Sequence, residues 1–264
     1  MVAGTNTNEG TLFVYPSNLA PMTEATFERS VKGFLGGDTN AGHQNPPPNA
    51  TTMAEINALY PSKSPGGILG DNRPVLADLM GDGTFICGSQ YFLKYVARTG
   101  APTYAYHFDF LRRKACRWPG TDSWGVTHAA ELPFVFDDGA PLAQMSGTGT
   151  GACTDGEGFN VTGAAVGWAM RTEWGAIAAN GAPTPAWPRW TEATALGAKF
   201  GGAAAAEDAE DAEDAEDAAG GGGAVGGAAG VVRRAATPMT VEAHRRKQFC
   251  AWWDRHYADV ASRM

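Results

Sequence analysis

A glutamate and a histidine in two short segments are the side chains best placed to transfer protons. Glu9 lies in residues 4–13, GTNTNEGTLF, and His128 lies in residues 125–136, GVTHAAELPFVF. An imidazole that a carboxylate holds in one tautomer can take a proton from a hydroxyl nucleophile and return it to a leaving group. Taken singly, each residue has an ordinary alternative. The histidine could be a surface or packing residue, and the glutamate could be a turn or helix-start carboxylate.

The two segments resemble the acid and histidine segments of the type-B carboxylesterases, the serine hydrolase family that includes the cholinesterases. The histidine segment is the more specific, because its glutamate and its Pro-Phe-x-Phe ending also match. The resemblance implies that His128 is the general acid and base, that Glu9 orients it, and that Glu131 is a buried structural carboxylate nearby. Two residues depart from the family pattern: Asn8 stands for an aspartate and Ala129 for a glycine.

The nucleophile of such a site does not occur in this sequence. In α/β-hydrolases the serine, the acid and the histidine follow in that order, and the serine lies in a Gly-x-Ser-x-Gly turn. Glu9 does precede His128, but the 264 residues contain no such turn and only eight residues precede Glu9. We therefore expect an α/β chain that corresponds to the C-terminal portion of an α/β-hydrolase fold. It should keep few strands and consist mostly of helices and loops.

Three further segments carry the same resemblance: residues 81–87 (GDGTFIC), 174–183 (WGAIAANGAP) and 248–253 (QFCAWW). They imply a disulfide between Cys87 and Cys250, whose counterparts pair in the cholinesterases. Cys116 and Cys153 would then be left to pair with each other and brace the histidine loop. The residues alone leave this open, since four cysteines allow three connectivities.

Leu12 bears on the substrate. It lies three residues after Glu9, where the cholinesterases present an aromatic side chain to the choline cation. A quaternary ammonium ion gains most from an aromatic face. Leu12 therefore favours a general or lipid-like carboxylic ester over a choline ester, unless it only packs. No cofactor and no metal are implied, because the sequence has neither a Gly-rich phosphate loop nor clustered Cys/His zinc spacing.

Hydrophobic patterning predicts the elements that would position these residues. A short buried strand ends near Gly4, and the alternation over residues 103–110 predicts an aromatic strand before the histidine segment. Two strands would be marginal by themselves, so we expect the isolated chain to fold poorly. Apolar residues at helical spacing predict helices over residues 23–34, 52–60, 76–99 with a break near 81–83, 161–180 and 240–263.

Composition divides the chain into three parts. Residues 1–200 are predicted to be the hydrolase-like region, and residues 237–264 its C-terminal helix. Residues 201–236 consist of Ala-Glu-Asp repeats and a Gly/Ala stretch, which lack the large apolar side chains needed to offset ordering entropy, so we predict a disordered insertion. Eight of the 28 acidic residues lie there, and the other 20 balance the 20 Lys and Arg. A neutral remainder argues against nucleic-acid binding, which needs a basic face.

Signals for the cellular compartment conflict. The sequence shows no leader and no transmembrane run, which suggests the cytosol. Four cysteines and two glycosylation sequons, at Asn49 and Asn160, suggest an oxidising compartment. A leader lost with a missing N-terminal half would reconcile them, so we expect the complete protein to be secreted or to reside in the secretory pathway. The oligomeric state is left open.

Two functions follow from these observations. The chain is either part of a serine hydrolase that acts on small-molecule carboxylic esters once it is completed, or a non-catalytic cholinesterase-like adhesion or interaction module. Such modules often lose residues of the triad, so the presence of both Glu9 and His128 favours the enzyme. Whether a Gly-x-Ser-x-Gly turn or a substituted serine lies upstream would distinguish the two.

Overall fold

The protein is described from a computed structural model, which covers residues 1–36, 48–63, 70–110, 124–136, 161–201, 239–243 and 246–261. Several sequence-based predictions lie outside the described residues: the insertion beyond Gly201, the pairing of Cys116 with Cys153, and the sequon at Asn160. These remain predictions.

A four-stranded mixed sheet lies at the centre of the described part. Its strands are ordered as they follow in the chain: β1 (Val2–Asn6), β2 (Tyr104–Asp109), β3 (Leu196–Gly201) and β4 (Met239–Ala243). The first three strands run parallel, and β4 is antiparallel to β3. Parallel neighbours need crossover connections, and helices lie between these strands in the chain. The predicted α/β class is confirmed.

The number of strands corrects the sequence-based prediction, which had only two. β3 was missed because LGAKFG, with two glycines and a lysine, has weak strand propensity, and its pairing with both neighbours outweighs that propensity. β4 was assigned to a C-terminal helix over 237–264, but the helix begins only at Lys247. Gly201, assigned to the insertion, ends β3. The expected poor folding rested on a two-stranded sheet, so its premise is wrong.

The predicted helices are otherwise present, with shifted ends: α2 (Glu24–Gly36), α3 (Ala50–Leu59), α4 (Arg73–Gly81), α5 (Cys87–Arg98), α7 (Val161–Asn180) and α8 (Lys247–Ala261). Two short helices were not predicted, α1 (Thr11–Val14) after the acid loop and α6 (Leu132–Phe136) after the histidine loop. The break expected near residues 81–83 is instead a π-helical turn, Asp82–Ile86, that joins α4 to α5. No helix within the described ranges combines the length and the apolar composition that crossing a membrane requires.

Asn49, the sequon residue within the described ranges, caps α3. Its side-chain Oδ1 accepts a hydrogen bond from the backbone N–H of Thr52 at 2.9 Å. An asparagine is among the preferred N-cap residues because it satisfies one of the free N–H groups of the first turn. The residue is exposed, so glycosylation at this position stays a prediction that the fold accommodates.

Two hydrophobic clusters hold the elements together. One lies among α2, α3, α4 and α8, with Phe27, Ile56 and Leu79 fully buried. The other packs α7 and the loop after it against one face of the sheet, around the buried side chains Phe108, Phe134, Met170, Trp187 and Phe200. Every second residue of β2 is aromatic (Tyr104, Tyr106 and Phe108) and packs in this second cluster. The residues between them, including His107, therefore face the other side of the sheet.

The π-helical turn carries a buried charge. Asp82 is 1% exposed and accepts hydrogen bonds from Tyr60 Oη at 2.7 Å and from Arg246 Nε at 2.9 Å. Trp253 Nε1 donates to Tyr60 Oη at 3.0 Å, so α8 also reaches this network. Burial raises the pKa of the Asp82 carboxyl overall, and the hydrogen bonds and charge of the Arg246 guanidinium oppose that rise. The charge is therefore tolerated because Arg246 is present.

One turn further on, Cys87 forms the predicted disulfide with Cys250 of α8. Both cysteines are buried, and 163 residues separate them in sequence. The covalent bond and the Asp82–Arg246 pair thus attach the last helix to the same short stretch of chain.

Removing Arg246 should destabilise the fold strongly, because it leaves a carboxylate buried without its cation. We expect Arg246→Met to lower the free energy of unfolding by about 3–5 kcal/mol, and a further Asp82→Asn change to recover part of the loss. Urea denaturation measures both. Arg98→Ala is the matched control: its partner Glu192 and Arg98 itself are more than half exposed, so about 0.2–1 kcal/mol is expected. Equal losses for the two arginines would contradict this account.

Loss of the disulfide should also lower stability. In the chain-entropy model a loop of this length contributes about 4–5 kcal/mol, less any strain or residual structure. Cys87→Ala with Cys250→Ala should therefore lower the melting temperature, and non-reducing peptide mapping should recover the Cys87–Cys250 peptide. Recovery of Cys87 linked to Cys116 or Cys153 would overturn the pairing.

Candidate active site

The acid loop follows the carboxyl end of β1. Glu9 is 5% exposed, and its Oε1 accepts a hydrogen bond from the backbone N–H of Asn6 at 2.7 Å. The next residue must be a glycine, because a Cβ at Gly10 would lie 1.9 Å from the carbonyl oxygen of Ala77 in α4. The loop therefore packs closely between β1 and α4. This packing and the hydrogen bond from Asn6 hold the Glu9 carboxylate in place.

The histidine loop lies directly beside it and continues the ladder between β1 and β2. Asn8 N donates to the Val126 carbonyl at 2.9 Å, and Val126 N donates to Asn8 Oδ1 at 3.0 Å. Gly125 has φ +67° and a Cβ there would lie 2.1 Å from Asn8 Oδ1. Asn8, the departure from the family's aspartate, thus supplies the acceptor that fixes this loop.

Glu9 and His128 meet across the two loops. His128 Nδ1 lies 2.7 Å from Glu9 Oε2, although 119 residues separate them in sequence. The His128 side chain is 39% exposed, whereas that of Glu9 is 5% exposed. A buried carboxylate at Nδ1 fixes the ring tautomer with the other nitrogen, Nε2, left for a reacting group. The sequence predicted this pair, and the structure brings it together.

Two phenylalanines contact the imidazole. The ring centroids of Phe85 and His128 are 4.5 Å apart, and those of Phe13 and His128 are 5.4 Å apart. The two phenylalanines also stack on each other at 5.5 Å. Sequence reasoning did not assign either residue to the site, although Phe85 belongs to the recognised segment 81–87. The available signal was its position in that motif, and its contact with His128 depends on the π-helical turn.

Among the residues that the structure describes, Glu131 forms hydrogen bonds with Asn6 and Tyr106, and these contacts stabilise the histidine loop. Asn6 Nδ2 donates to Glu131 Oε2 at 2.6 Å and to the Thr127 carbonyl at 2.7 Å. Tyr106 Oη donates to Glu131 Oε1 at 3.5 Å. These contacts support the structural role predicted for Glu131, although the residue is half-buried rather than buried. Asn6, which sequence reasoning missed, joins β1 to the histidine loop.

Burial dominates the ionisation of the acid. It raises the pKa of Glu9, the hydrogen bonds from Asn6 N–H and from His128 lower it, and the nearby Glu131 raises it again. Burial likewise raises the pKa of Tyr106 well above its usual range, with the charges of Glu131 and Glu9 adding to the effect. Tyr106 is therefore neutral here and serves Glu131 as a hydrogen-bond donor.

Ala129 occupies a backbone conformation that explains the glycine expected at its position. Its φ is +67°, in the left-handed region that glycine adopts without penalty and other residues adopt rarely. The departure from the family pattern therefore keeps the loop geometry and adds local strain of order 1 kcal/mol.

Leu12, the residue predicted to line the substrate pocket, lies on α1. It is half-buried and stands next to the exposed Phe13.

Comparison with known proteins agrees with this geometry. The model of the carboxylesterase family matches residues 1–194, a range that includes Glu9 and His128. Acetylcholinesterase of Gallus gallus is 42% identical over 72 residues, which make up 27% of this chain and 9% of that protein. The match thus spans only a small part of that relative's length. Since the family model extends over 194 of the 264 residues and the fold is a partial α/β-hydrolase, this chain belongs to the carboxylesterase family.

Proposed function

We propose that this chain supplies the acid and the histidine of a serine carboxylic-ester hydrolase. The observation that carries the proposal is the 2.7 Å contact between His128 Nδ1 and the buried Glu9 Oε2. His128 Nε2 takes the proton of a serine hydroxyl as its oxygen attacks the ester carbonyl, then gives that proton to the departing alkoxide. Water repeats these steps in releasing the acid. Glu9 stays ionised and stabilises the imidazolium that forms.

The serine must come from a segment other than these 264 residues. Such a serine lies on a turn between a strand and a helix at the carboxyl end of a parallel sheet. Within the described part of the chain, β1 pairs with a strand only on its β2 side. A parallel strand added to the other side would end beside the acid loop. The side chain of Phe13, which contacts His128 and is 43% exposed, provides apolar surface for such a segment to cover.

The two phenylalanines, Phe85 and Phe13, hold the His128 ring in one orientation, with Nδ1 at Glu9 and Nε2 free to reach the serine hydroxyl. Ring contacts of this kind contribute about 0.5–1.5 kcal/mol beyond burial. Phe85 lies closer to the ring, and Phe13 closes the other contact while remaining partly exposed. This arrangement supports a histidine that is held in one orientation rather than one that is free on the surface.

Leu12 supports a general or lipid-like ester rather than a choline ester, because an aliphatic side chain offers no π-face to a quaternary ammonium ion. The buried Cys87–Cys250 disulfide and the exposed sequon at Asn49 support passage through an oxidising compartment.

The second candidate function is a non-catalytic interaction module. One observation favours it: the 264 residues hold no Gly-x-Ser-x-Gly turn.

Completion of the site should reveal the roles of its residues. When the chain is produced with a nucleophile-bearing half of the same family, p-nitrophenyl butyrate should be hydrolysed. His128→Ala and Glu9→Gln should each lower kcat by about 10⁴-fold or more. Glu131→Gln should mainly lower the melting temperature. His256→Gln, in α8, is the matched control and should leave kcat unchanged.

The 264-residue chain alone should not turn over this ester at an enzymatic rate, because the serine and the donors that stabilise the oxyanion are both needed. Robust turnover by the chain alone, titrated by a serine-directed organophosphate, would show that it contains a nucleophile that we have missed. A completed protein that neither reacts with the organophosphate nor turns over the ester would favour the interaction module.

The role of Leu12 in selectivity can be tested with a charged and a neutral ester of the same shape. In the completed protein, Leu12→Phe should raise kcat/KM for acetylcholine relative to 3,3-dimethylbutyl acetate by about two- to thirtyfold, the equivalent of about 0.5–2 kcal/mol of cation–π attraction. Leu12→Met is the aliphatic control and should leave the ratio unchanged. Equal changes for both esters would mean that Leu12 only packs.

A further inference from the structure

A second network of polar side chains crosses the sheet on the face opposite the aromatic core. His107 is central to it: its Nδ1 lies 2.6 Å from Glu242 Oε1 in β4, and its Nε2 lies 2.9 Å from Thr7 Oγ1 in the acid loop. Thr7 also donates a hydrogen bond to Asp109 Oδ1. Lys199 Nζ in β3 lies 2.8 Å from Asp109 Oδ2 and 3.6 Å from Glu242 Oε2. The network thus reaches from the end of β1 to β4.

A small cavity gives water access to this network. It has a volume of about 60 Å³ and lies between α5 and the sheet, with His107 and Glu242 in its wall and Ser89 and Gln90 of α5 facing them. Ligand pockets for organic molecules are several times larger, whereas this volume suits a few water molecules. His107, whose side chain is only 8% exposed, can therefore exchange protons with solvent without leaving its place.

The full set of hydrogen bonds around His107 and Thr7 is made when each ring nitrogen carries a proton. Ionised carboxylates only accept hydrogen bonds, so the bond to Glu242 needs a proton on Nδ1. Thr7 has one hydroxyl proton, and three acceptors lie within its reach: Asp109 Oδ1, the Phe108 carbonyl oxygen at 3.3 Å, and a bare Nε2 of His107. When Thr7 gives that proton to Asp109 or Phe108, its contact with His107 needs a proton on Nε2. A ring with one proton must give up one of these bonds, or draw the Thr7 proton away from Asp109.

The charged groups around the ring fit this arrangement. Glu242 and Asp109 contribute two carboxylates, and Lys199 contributes one ammonium group that lies nearer Asp109. Although burial raises it, the pKa of Asp109 is lowered overall by hydrogen bonds from Lys199 and Thr7, so this carboxylate is ionised and needs the Thr7 proton. On the α5 side, the cavity presents neutral Ser89 and Gln90.

We propose that His107 is a proton-operated tie that holds β4 and the acid loop to the centre of the sheet. With two ring protons it bridges Glu242 and Thr7, and with one it loses the charge-assisted bond or the Thr7–Asp109 bond. Each end of this link lies close in sequence to a residue that matters elsewhere in the molecule. Glu242 lies four residues before Arg246, which neutralises Asp82, and Thr7 lies two residues before Glu9. The inference does not depend on the proposed catalytic role.

The direction of the effect follows from the geometry. The ring with two protons makes both bonds, so loss of one ring proton should weaken the fixation of β4.

The test follows the ring and the strand together in the 264-residue chain with ¹⁵N-labelled histidine. NMR between about pH 5 and pH 9 reports ring protonation, and a His107→Phe sample assigns the signals. Hydrogen exchange of residues 239–243, corrected for the intrinsic effect of pH, reports the fixation of β4. We expect the protection of β4 to fall about five- to tenfold as the His107 signals report loss of a proton, while α7 keeps its protection.

Glu242→Gln separates a proton-operated tie from a merely structural contact. A glutamine amide can donate to a bare Nδ1, so the neutral ring can then make every bond, and β4 protection should become independent of His107 protonation. His107→Phe should lower β4 protection at every pH, and His256→Gln should behave as the unaltered chain. A ring with one proton throughout the range, unchanged β4 protection on deprotonation, or a Glu242→Gln protein with the original pH dependence would each overturn the proposal.

Discussion

The parallel pairing of β1 with β2 is the constraint on which the rest of the site depends. Two parallel strands in register end at the same edge of a sheet, so the loops that follow them begin side by side. The bridge between Asn8 and Thr127 extends this pairing past the strands themselves. Residues 119 positions apart are thereby held within hydrogen-bonding distance. A register shift of one residue would turn alternate side chains to the opposite face and separate them.

The acid loop is held from two faces by two different histidines. Thr7 contacts His107 on one side of the sheet edge, and Glu9 contacts His128 two residues later. One imidazole is largely buried and sits among ionised groups, while the other is partly exposed and packed against phenylalanine rings. The same residue type thus serves a network within the fold and a site open to reacting groups. Their surroundings account for the difference.

The sequence predicted the chemistry of the site better than its surroundings. Glu9 and His128 could be named because their motifs are specific and their order is constrained. β3 could not, because LGAKFG owes its strand conformation to hydrogen bonds with both neighbouring strands rather than to local propensity. β4 was missed because MTVEA, although its Thr and Val favour a strand, was assigned to the start of the C-terminal helix. Phe85 was missed for a similar reason, since only the path of the π-helical turn carries it to the imidazole. Ala129 shows the converse: a departure from a motif that the backbone absorbs at a φ of +67°.

The disulfide has a consequence for the integrity of the molecule. Cys87 and Cys250 enclose α5, β2, α6, α7, β3 and β4 in one covalent ring. A protease that cuts the chain once anywhere between these cysteines opens the ring without releasing a fragment. The two pieces remain a single covalent molecule, and α8 stays where Arg246 and Trp253 dock it. Processing within this ring could therefore change the exposed surface of the protein without detaching the helix that closes it.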